Sequence, residues 1–241
     1  MKKITFAVLL STVATGAFAA DAVVYEAPVT FFSWTGGYVG LHAGYAWGRE
    51  NDNQSDLFPD QIIDVGVERA ADRFDVDGFI GGAHAGYNWQ SGQWVFGIEA
   101  DIDYADVSGG SDFFYNTGIT EVEGRLGFES DWQASLRLRA GYAVDTWLFY
   151  ATGGVAVGHA ELSASGIYEF GIPFSNSDDN MHTGWTVGAG MEKAFTPNWI
   201  GRFEVRYTDF SKEDYDLGPA GDPIEADWDQ TAVSVGISYK F

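Results

Sequence analysis

Charged residues recur at every second position in several stretches of this chain: Glu99 and Asp101, Arg137 and Arg139, then Glu192, and finally Arg202, Glu204 and Arg206. A spacing of two keeps side chains on one face of a β-strand. Four guanidinium groups and four carboxylates on neighbouring strands offer two chemistries. Enclosed together, they neutralise one another as an ion-pair network, because a lone buried charge costs several kcal/mol. Wetted, the same groups line a channel for ions or small solutes. His42 and His84 share another such face. Two imidazoles without a matched third ligand read as hydrogen-bonded residues rather than a metal site, and no metal or cofactor is expected. His159 and His182, near Glu161, Ser163 and Ser165, supply the residue types of a Ser-His-carboxylate hydrolase. Their spacing does not set them apart from ordinary loop composition. The chain has no cysteine, so it has no thiol nucleophile and no cysteine metal site. It carries neither a phosphate loop nor a zinc-protease motif.

The elements that must position these residues are legible in the alternation around them. In residues 231–241, Val233, Val235, Ile237, Tyr239 and Phe241 are apolar, while the residues between them are small or polar. Such a strand has one oily and one wet face. The wet residues are too small for the core of a soluble sandwich, and they suit the inside of a narrow barrel whose outside meets lipid. Seven further strands are predicted at 34–48, 79–89, 94–104, 132–143, 147–158, 184–195 and 199–210. The motif Gly-x-His-Ala-Gly-Tyr-x-Trp occurs twice, from Gly40 to Trp47 and from Gly82 to Trp89. If successive strands run antiparallel, Tyr45 and Trp47 reach one membrane boundary, and Tyr87 and Trp89 the other.

The connections set the topology. Residues 90–93, 144–146 and 196–198 are tight turns, whereas 49–78, 105–131, 159–183 and 211–229 are long and acidic. The predicted fold is therefore all-β: an eight-stranded antiparallel up-and-down transmembrane β-barrel with short periplasmic turns and long extracellular loops. Ahead of it, Met1-Lys2-Lys3, an apolar run and small residues up to Ala20 read as a secretory signal peptide over 1–20, cut after Ala19 or Ala20. Residues 21–33 read as a periplasmic leader, and 34–241 as the barrel. The formal net charge of -22 and only 13 Lys and Arg argue against nucleic acid as a partner. The acidic loops serve solubility and repulsion between neighbouring barrels. A sharper reading places their carboxylates in a divalent-cation layer that bridges lipopolysaccharide.

Five segments carry a family resemblance: Trp34-Thr35-Gly36-Gly37-Tyr38-Val39-Gly40, Gly86-Tyr87-Asn88-Trp89-Gln90, Phe96-Gly97-Ile98-Glu99-Ala100-Asp101, Tyr150-Ala151-Thr152-Gly153-Gly154-Val155-Ala156 and the final Tyr239-Lys240-Phe241. From residue 34 to 241 the chain resembles the small outer-membrane β-barrels called outer membrane immunogenic proteins, and more distantly the transmembrane barrel of OmpA. The resemblance implies a place in the outer membrane of a Gram-negative bacterium, a role in envelope integrity, membership of the porin-like barrels and loops that act as surface antigens. It also implies that Phe241, with Tyr239, is read by the barrel-assembly machinery. Outer-membrane lipid and lipopolysaccharide are the other expected partners. The oligomeric state is open, with a monomer as the default. The leading expectation is a structural, non-enzymatic barrel with a filled lumen. A small-solute or ion-conducting porin and a lipid-A-modifying barrel enzyme are the alternatives.

Overall fold

The computed structural model describes residues 32–52, 73–116, 121–168, 171–216 and 224–241. The expected signal peptide, most of the expected leader and the tips of the four long connections lie outside the described residues. Eight strands follow one another: β1 (Gly36–Asp52), β2 (Arg73–Ser91), β3 (Trp94–Asn116), β4 (Glu121–Val144), β5 (Trp147–Tyr168), β6 (Ile172–Ala194), β7 (Trp199–Tyr215) and β8 (Ile224–Lys240). Each pairs antiparallel with its neighbours in sequence, and β1 pairs with β8, from Tyr38↔Lys240 to Asp52↔Ala226, so the sheet closes into a barrel. Closure leaves no open edge around the ring, which strands surrounded by hydrocarbon require. At the periplasmic end the turns are tight. Gly92 has φ 62° between β2 and β3, and Asp145 has φ 54° between β4 and β5. Asp is among the few side chains that enter this left-handed region readily.

The lower part of every strand turns apolar residues outward. Leu41, Ile98, Ile102, Leu136, Leu138, Val155, Val235 and Ile237 are all exposed, and together they form a continuous band instead of scattered surface residues. Aromatic belts bound it. At the turn end Trp94 meets Tyr142 at 5.4 Å and Trp199 meets Tyr239 at 5.2 Å, and at the far end Trp185 meets Tyr207 at 5.5 Å, level with Tyr45, Trp47, Tyr104 and Trp132. Trp94 and Tyr104 lie about ten residues apart on β3. At a rise of about 3.3 Å per residue and a tilt of about 40°, that separates the belts by about 25 Å, the height of an outer-membrane apolar band.

Above the outer belt the strands continue where long loops were predicted. β3 and β4 stay paired to Asn116↔Glu121, β5 and β6 to Tyr168↔Ile172, and β7 and β8 to Tyr215↔Ile224. Of the four long acidic connections, three are therefore mostly hairpin. The polarity of the alternation inverts there. Ala105, Val107, Leu126, Phe128, Ala160, Leu162, Ala226 and Trp228 turn inward and are buried, while Asp106, Ser108 and Glu129 face water. Register shifts mark the changeover between Tyr104 and Val107, Ser130 and Trp132, and Phe210 and Glu213. On β4 and β7 the shift breaks the strict period of two on which the sequence reading of strand ends rested, while β3 keeps its alternation through Val107.

Neighbouring glycines on β5 show how tightly the lumen wall is drawn. A Cβ on inward Gly154 would lie 2.0 Å from the Leu136 carbonyl oxygen, whereas one on outward Gly153 would meet nothing nearer than 3.9 Å. Gly154→Val is expected to destabilise the folded barrel by about 1–3 kcal/mol or to prevent folding, and Gly153→Val to leave it folded. Urea unfolding in detergent and gel mobility with and without boiling check both. Equal stability of the two variants would contradict the assigned inward face.

Candidate functional site

The barrel interior is stacked in three layers. Nearest the turns is an apolar plug of Trp34, Val95, Ala143, Leu148, Tyr150, Ala194 and Ile200, with Phe32 packed against it. Trp34 precedes β1 and is completely buried. Its backbone N–H donates to Gln90 Oε1 at 2.8 Å, and the Gln90 N–H donates to Thr35 Oγ1 at 2.9 Å, so the entering chain is clipped beneath the ring. At the outer end a second apolar cluster fills the cylinder. Trp228 stacks on Phe210 at 4.1 Å and meets Phe128 at 5.4 Å, with Ile80, Val107 and Leu162 in the same cluster.

Between the plugs lies the charged layer. All eight sequence-predicted residues point into it and all are buried. Glu99 on β3 is its hub. Arg137 Nη2 donates to its Oε1 at 2.6 Å, Arg139 Nη1 to its Oε2 at 3.3 Å and Arg202 Nη1 to its Oε1 at 3.0 Å, while Arg202 Nη2 closes a second contact and Tyr38 Oη donates at 2.6 Å. Glu192 accepts from Arg202 Nε at 3.0 Å and lies 2.9 Å from Arg139 Nη2. Glu204 accepts from Arg137 Nη1 at 2.6 Å and from Tyr150 Oη at 2.8 Å. Higher up, Arg206 forks between Asp101 at 2.7 Å and Asp103 at 2.8 Å, and Arg137 Nη2 reaches Asp101 at 3.2 Å. The Arg139 guanidinium also lies over the Tyr150 ring, 4.2 Å from its centroid. Such an arrangement sets two or more ion-pair or charge-assisted contacts against the desolvation of each ion.

The register places Glu99 directly opposite Arg137, and Glu192 opposite Arg202. Arginines are long enough to bridge adjacent rungs as well, which is how Glu99 gathers three of them. The two lumen histidines form a hydrogen-bonded chain. His42 Nε2 lies 2.6 Å from Asp103, the two Nδ1 atoms are 3.1 Å apart and His84 Nε2 is 2.8 Å from Ser238 Oγ. All four ring nitrogens are engaged by these partners. His159 and His182 are not brought together. His159 faces outward between Asp131 and Asp179, stacked on Trp132, while His182 faces inward and bonds the Ser211 carbonyl and Tyr215. Ser163 Oγ donates to the Gly127 carbonyl. These residues do not form a Ser-His-carboxylate site. Tyr239 points outward, and the Phe241 N–H donates to the Gly37 carbonyl at 3.0 Å, with its ring exposed at the barrel's foot.

Sequence reasoning missed Tyr38, Asp103, Tyr150 and Trp34 as members of this site. Asp103 and Tyr38 were within reach, since Asp103 shares the face of Glu99 and Asp101, and Tyr38 that of Gly40 and His42. Tyr150 and Trp34 were not, because an aromatic beside a lipid belt reads first as part of the belt.

The model of the outer membrane protein beta-barrel domain matches residues 5–241. The 31 kDa outer-membrane immunogenic protein of Brucella melitensis is 35% identical over the full length of both chains. The 25 kDa outer-membrane immunogenic protein of Brucella canis is 34% identical, covering 93% of this chain and 91% of that one. The 22 kDa outer membrane protein of Rhizobium leguminosarum is also 34% identical, covering 90% and 82% respectively. A closed eight-stranded ring with a lipid-facing band, matched along almost its whole sequence to these proteins, belongs to the outer-membrane β-barrel family of Gram-negative bacteria.

Proposed function

We propose that this chain is a structural, non-enzymatic outer-membrane barrel that supports envelope integrity and has a lumen closed to solutes. The observation that carries the reading is Glu99. It is held by three guanidinium groups and a tyrosine hydroxyl at 1% exposure, with an apolar plug above it and another below. A conducting pore keeps its lining charges hydrated so that ions can pass, whereas the lumen arginines and carboxylates here have side-chain exposures of 8% or less. His182 and His159, on adjacent rungs of β5 and β6, face opposite sides of the wall, which favours a non-enzymatic role over lipid-A modification. On this reading Phe241 and Tyr239 are presented to the barrel-assembly machinery. The acidic hairpins rise into the lipopolysaccharide layer and carry the surface epitopes.

Three outcomes are expected. In planar bilayers the wild-type protein gives no steady large openings, and a stable, ohmic conductance would return the porin alternative to first place. Glu99→Gln leaves three arginines short of their shared anion and lowers stability by about 3–5 kcal/mol. Lys212→Gln, which breaks only the exposed 3.4 Å pair with Glu225, changes it by less than about 1 kcal/mol. Guanidinium unfolding in detergent measures both, and similar losses would remove Glu99 from the centre of the network. Mass spectra of lipid A from cells with and without the gene are expected to be identical, and any mass shift would establish enzymatic activity.

A further inference from the structure

His42 and His84 are the two groups of the charged layer whose residue type gains or loses a proton near neutral pH. They belong to one chain of contacts laid across the closing seam of the barrel: Asp103 on β3, His42 on β1, His84 on β2 and Ser238 on β8. All four are buried. The middle contact sets how many hydrogens the chain can hold. Its two Nδ1 atoms lie 3.1 Å apart, a gap that takes one hydrogen, because two would collide and two bare lone pairs would repel. Asp103, 2.6 Å from His42 Nε2, is an acceptor and keeps a hydrogen on that nitrogen. With both rings neutral, the hydrogen in the gap therefore belongs to His84, and Ser238 Oγ donates to His84 Nε2. With one proton added, His84 Nε2 carries it and donates to Ser238 Oγ instead. Every ring nitrogen has a partner in both states. A second added proton has no place except the gap between the Nδ1 atoms, which is already filled.

The charge of the layer matches that capacity. Glu99, Asp101, Asp103, Glu192 and Glu204 are five buried carboxylates against four buried guanidinium groups, so with neutral imidazoles one negative charge is in surplus. Asp103 is the carboxylate that touches the chain. Asp101 lies opposite His84 in the register, with Glu99 two residues along β3. The Tyr38 ring is 6.2 Å from that of His84 and its hydroxyl donates to Glu99. Across the lumen, β7 brings Arg206 onto Asp101 and Asp103, Arg202 onto Glu99 and Glu192, and Glu204 onto Arg137. Each guanidinium is thus already engaged by a carboxylate. We propose that His42 and His84 form a one-proton site: in acid the pair takes up a single proton, which balances the fifth carboxylate of the lumen, and excludes a second. In the unfolded chain the two imidazoles are independent and together bind two protons below about pH 6. The native barrel binds one fewer, so its folding equilibrium weakens by about tenfold for each pH unit of acidification. The elements that the chain joins include β1 and β8, whose parting opens the cylinder. An acid-sensitive contact therefore sits at the seam that closes the barrel. The charge balance rests on the closed-lumen reading, which conductance tests separately from the protonation of the pair.

The test uses the mature barrel in detergent micelles with ¹⁵N-labelled histidine, the ring signals being assigned from His42→Gln and His84→Gln. On titration of the folded wild type from about pH 8 to about pH 4.5, the His42 and His84 signals are expected to change together and to gain one imidazolium between them. Two imidazolium rings in the folded barrel, or none, would overturn the site, and this measurement needs no variant beyond those used for assignment. Asp103→Asn removes the surplus carboxylate, and both rings are then expected to stay neutral over the same range, with folding confirmed by gel mobility. Uptake of a proton as in the wild type would refute the charge balance. Urea unfolding of the wild type against the double variant His42→Gln with His84→Gln counts the same proton from the stability side, since every other titrating group is common to both. The ratio of their unfolding constants is expected to change by about tenfold per pH unit below about pH 6. A change of about a hundredfold would mean that the native pair binds no proton, and a flat ratio that it binds two; either result sinks the proposal.

Discussion

A backbone amide surrounded by hydrocarbon has no water to bond, so every strand in the membrane must find its partners in the sheet itself. That constraint forces β1 onto β8, and closing eight strands leaves a cylinder that side chains can fill. The rest follows from how little room remains. Inward positions on a narrow barrel cannot all be large, which is why glycine and serine alternate with arginine and glutamate along the lumen face. A charge placed there is cut off from solvent, so it is tolerable only when a partner on another strand meets it. Glu99 on β3 reaches arginines on β4 and β7, across the interior, and so ties together walls that the hydrogen-bond ladder joins only around the circumference.

The same chain is built for two solvents. Between the belts it is inverted relative to a water-soluble protein, with Leu136 and Leu138 outside and Arg137 and Arg139 within. Beyond the outer belt it reverts to the ordinary order, with Phe128 and Trp228 inside and carboxylates outside. The reversal has a consequence for the lumen. On the proposed reading of a closed lumen, the outer apolar cluster caps the charged layer, and Gln133 and Gln230, bonded to each other below it, are the transition between the two. Without the cap, water could enter from above and compete for the guanidinium groups. With it, the ion pairs operate at low local dielectric, where each contact is stronger and each missing partner costs more.

How much of this was legible in the sequence depended on which physical rule was in force at each residue. Between the belts one rule holds: apolar faces outward, and the period is two. There the strand order, the inward set from Glu99 to Arg206, both histidines and the two aromatic belts could be read directly. Above the belt the rule changes sign, and at the same rungs the register slips by a residue opposite Asp131 on β3 and again opposite Asp227 on β7. On β4 and β7 alternation then breaks for two independent reasons at once, and on β3 the change of sign alone makes an acidic stretch such as 105–112 look like a loop although it is strand. Contacts that depend on side-chain reach were also beyond a linear reading. The pairing of Glu99 with Arg202 joins residues far apart in sequence, and no spacing along the chain encodes it.

Paired charges in a lumen raise the question of why apolar residues were not used throughout, since a buried ion pair often stabilises no more than hydrophobic residues of the same volume. Register supplies a physical answer. In an all-apolar barrel a strand displaced by one residue would exchange one oily face for another at modest cost. Here the same slip would turn Arg137 and Arg139 toward hydrocarbon and bring Leu136 and Leu138 into the charged layer, a heavy penalty on both sides of the wall. A slip of two residues keeps the faces correct but moves Glu192 away from Arg202 and Glu99 away from Arg137 on their neighbouring strands. Some charge would then be left without its partner inside the barrel. The network therefore separates the native register from both of its nearest competitors, which backbone hydrogen bonds, nearly identical in all three, cannot do.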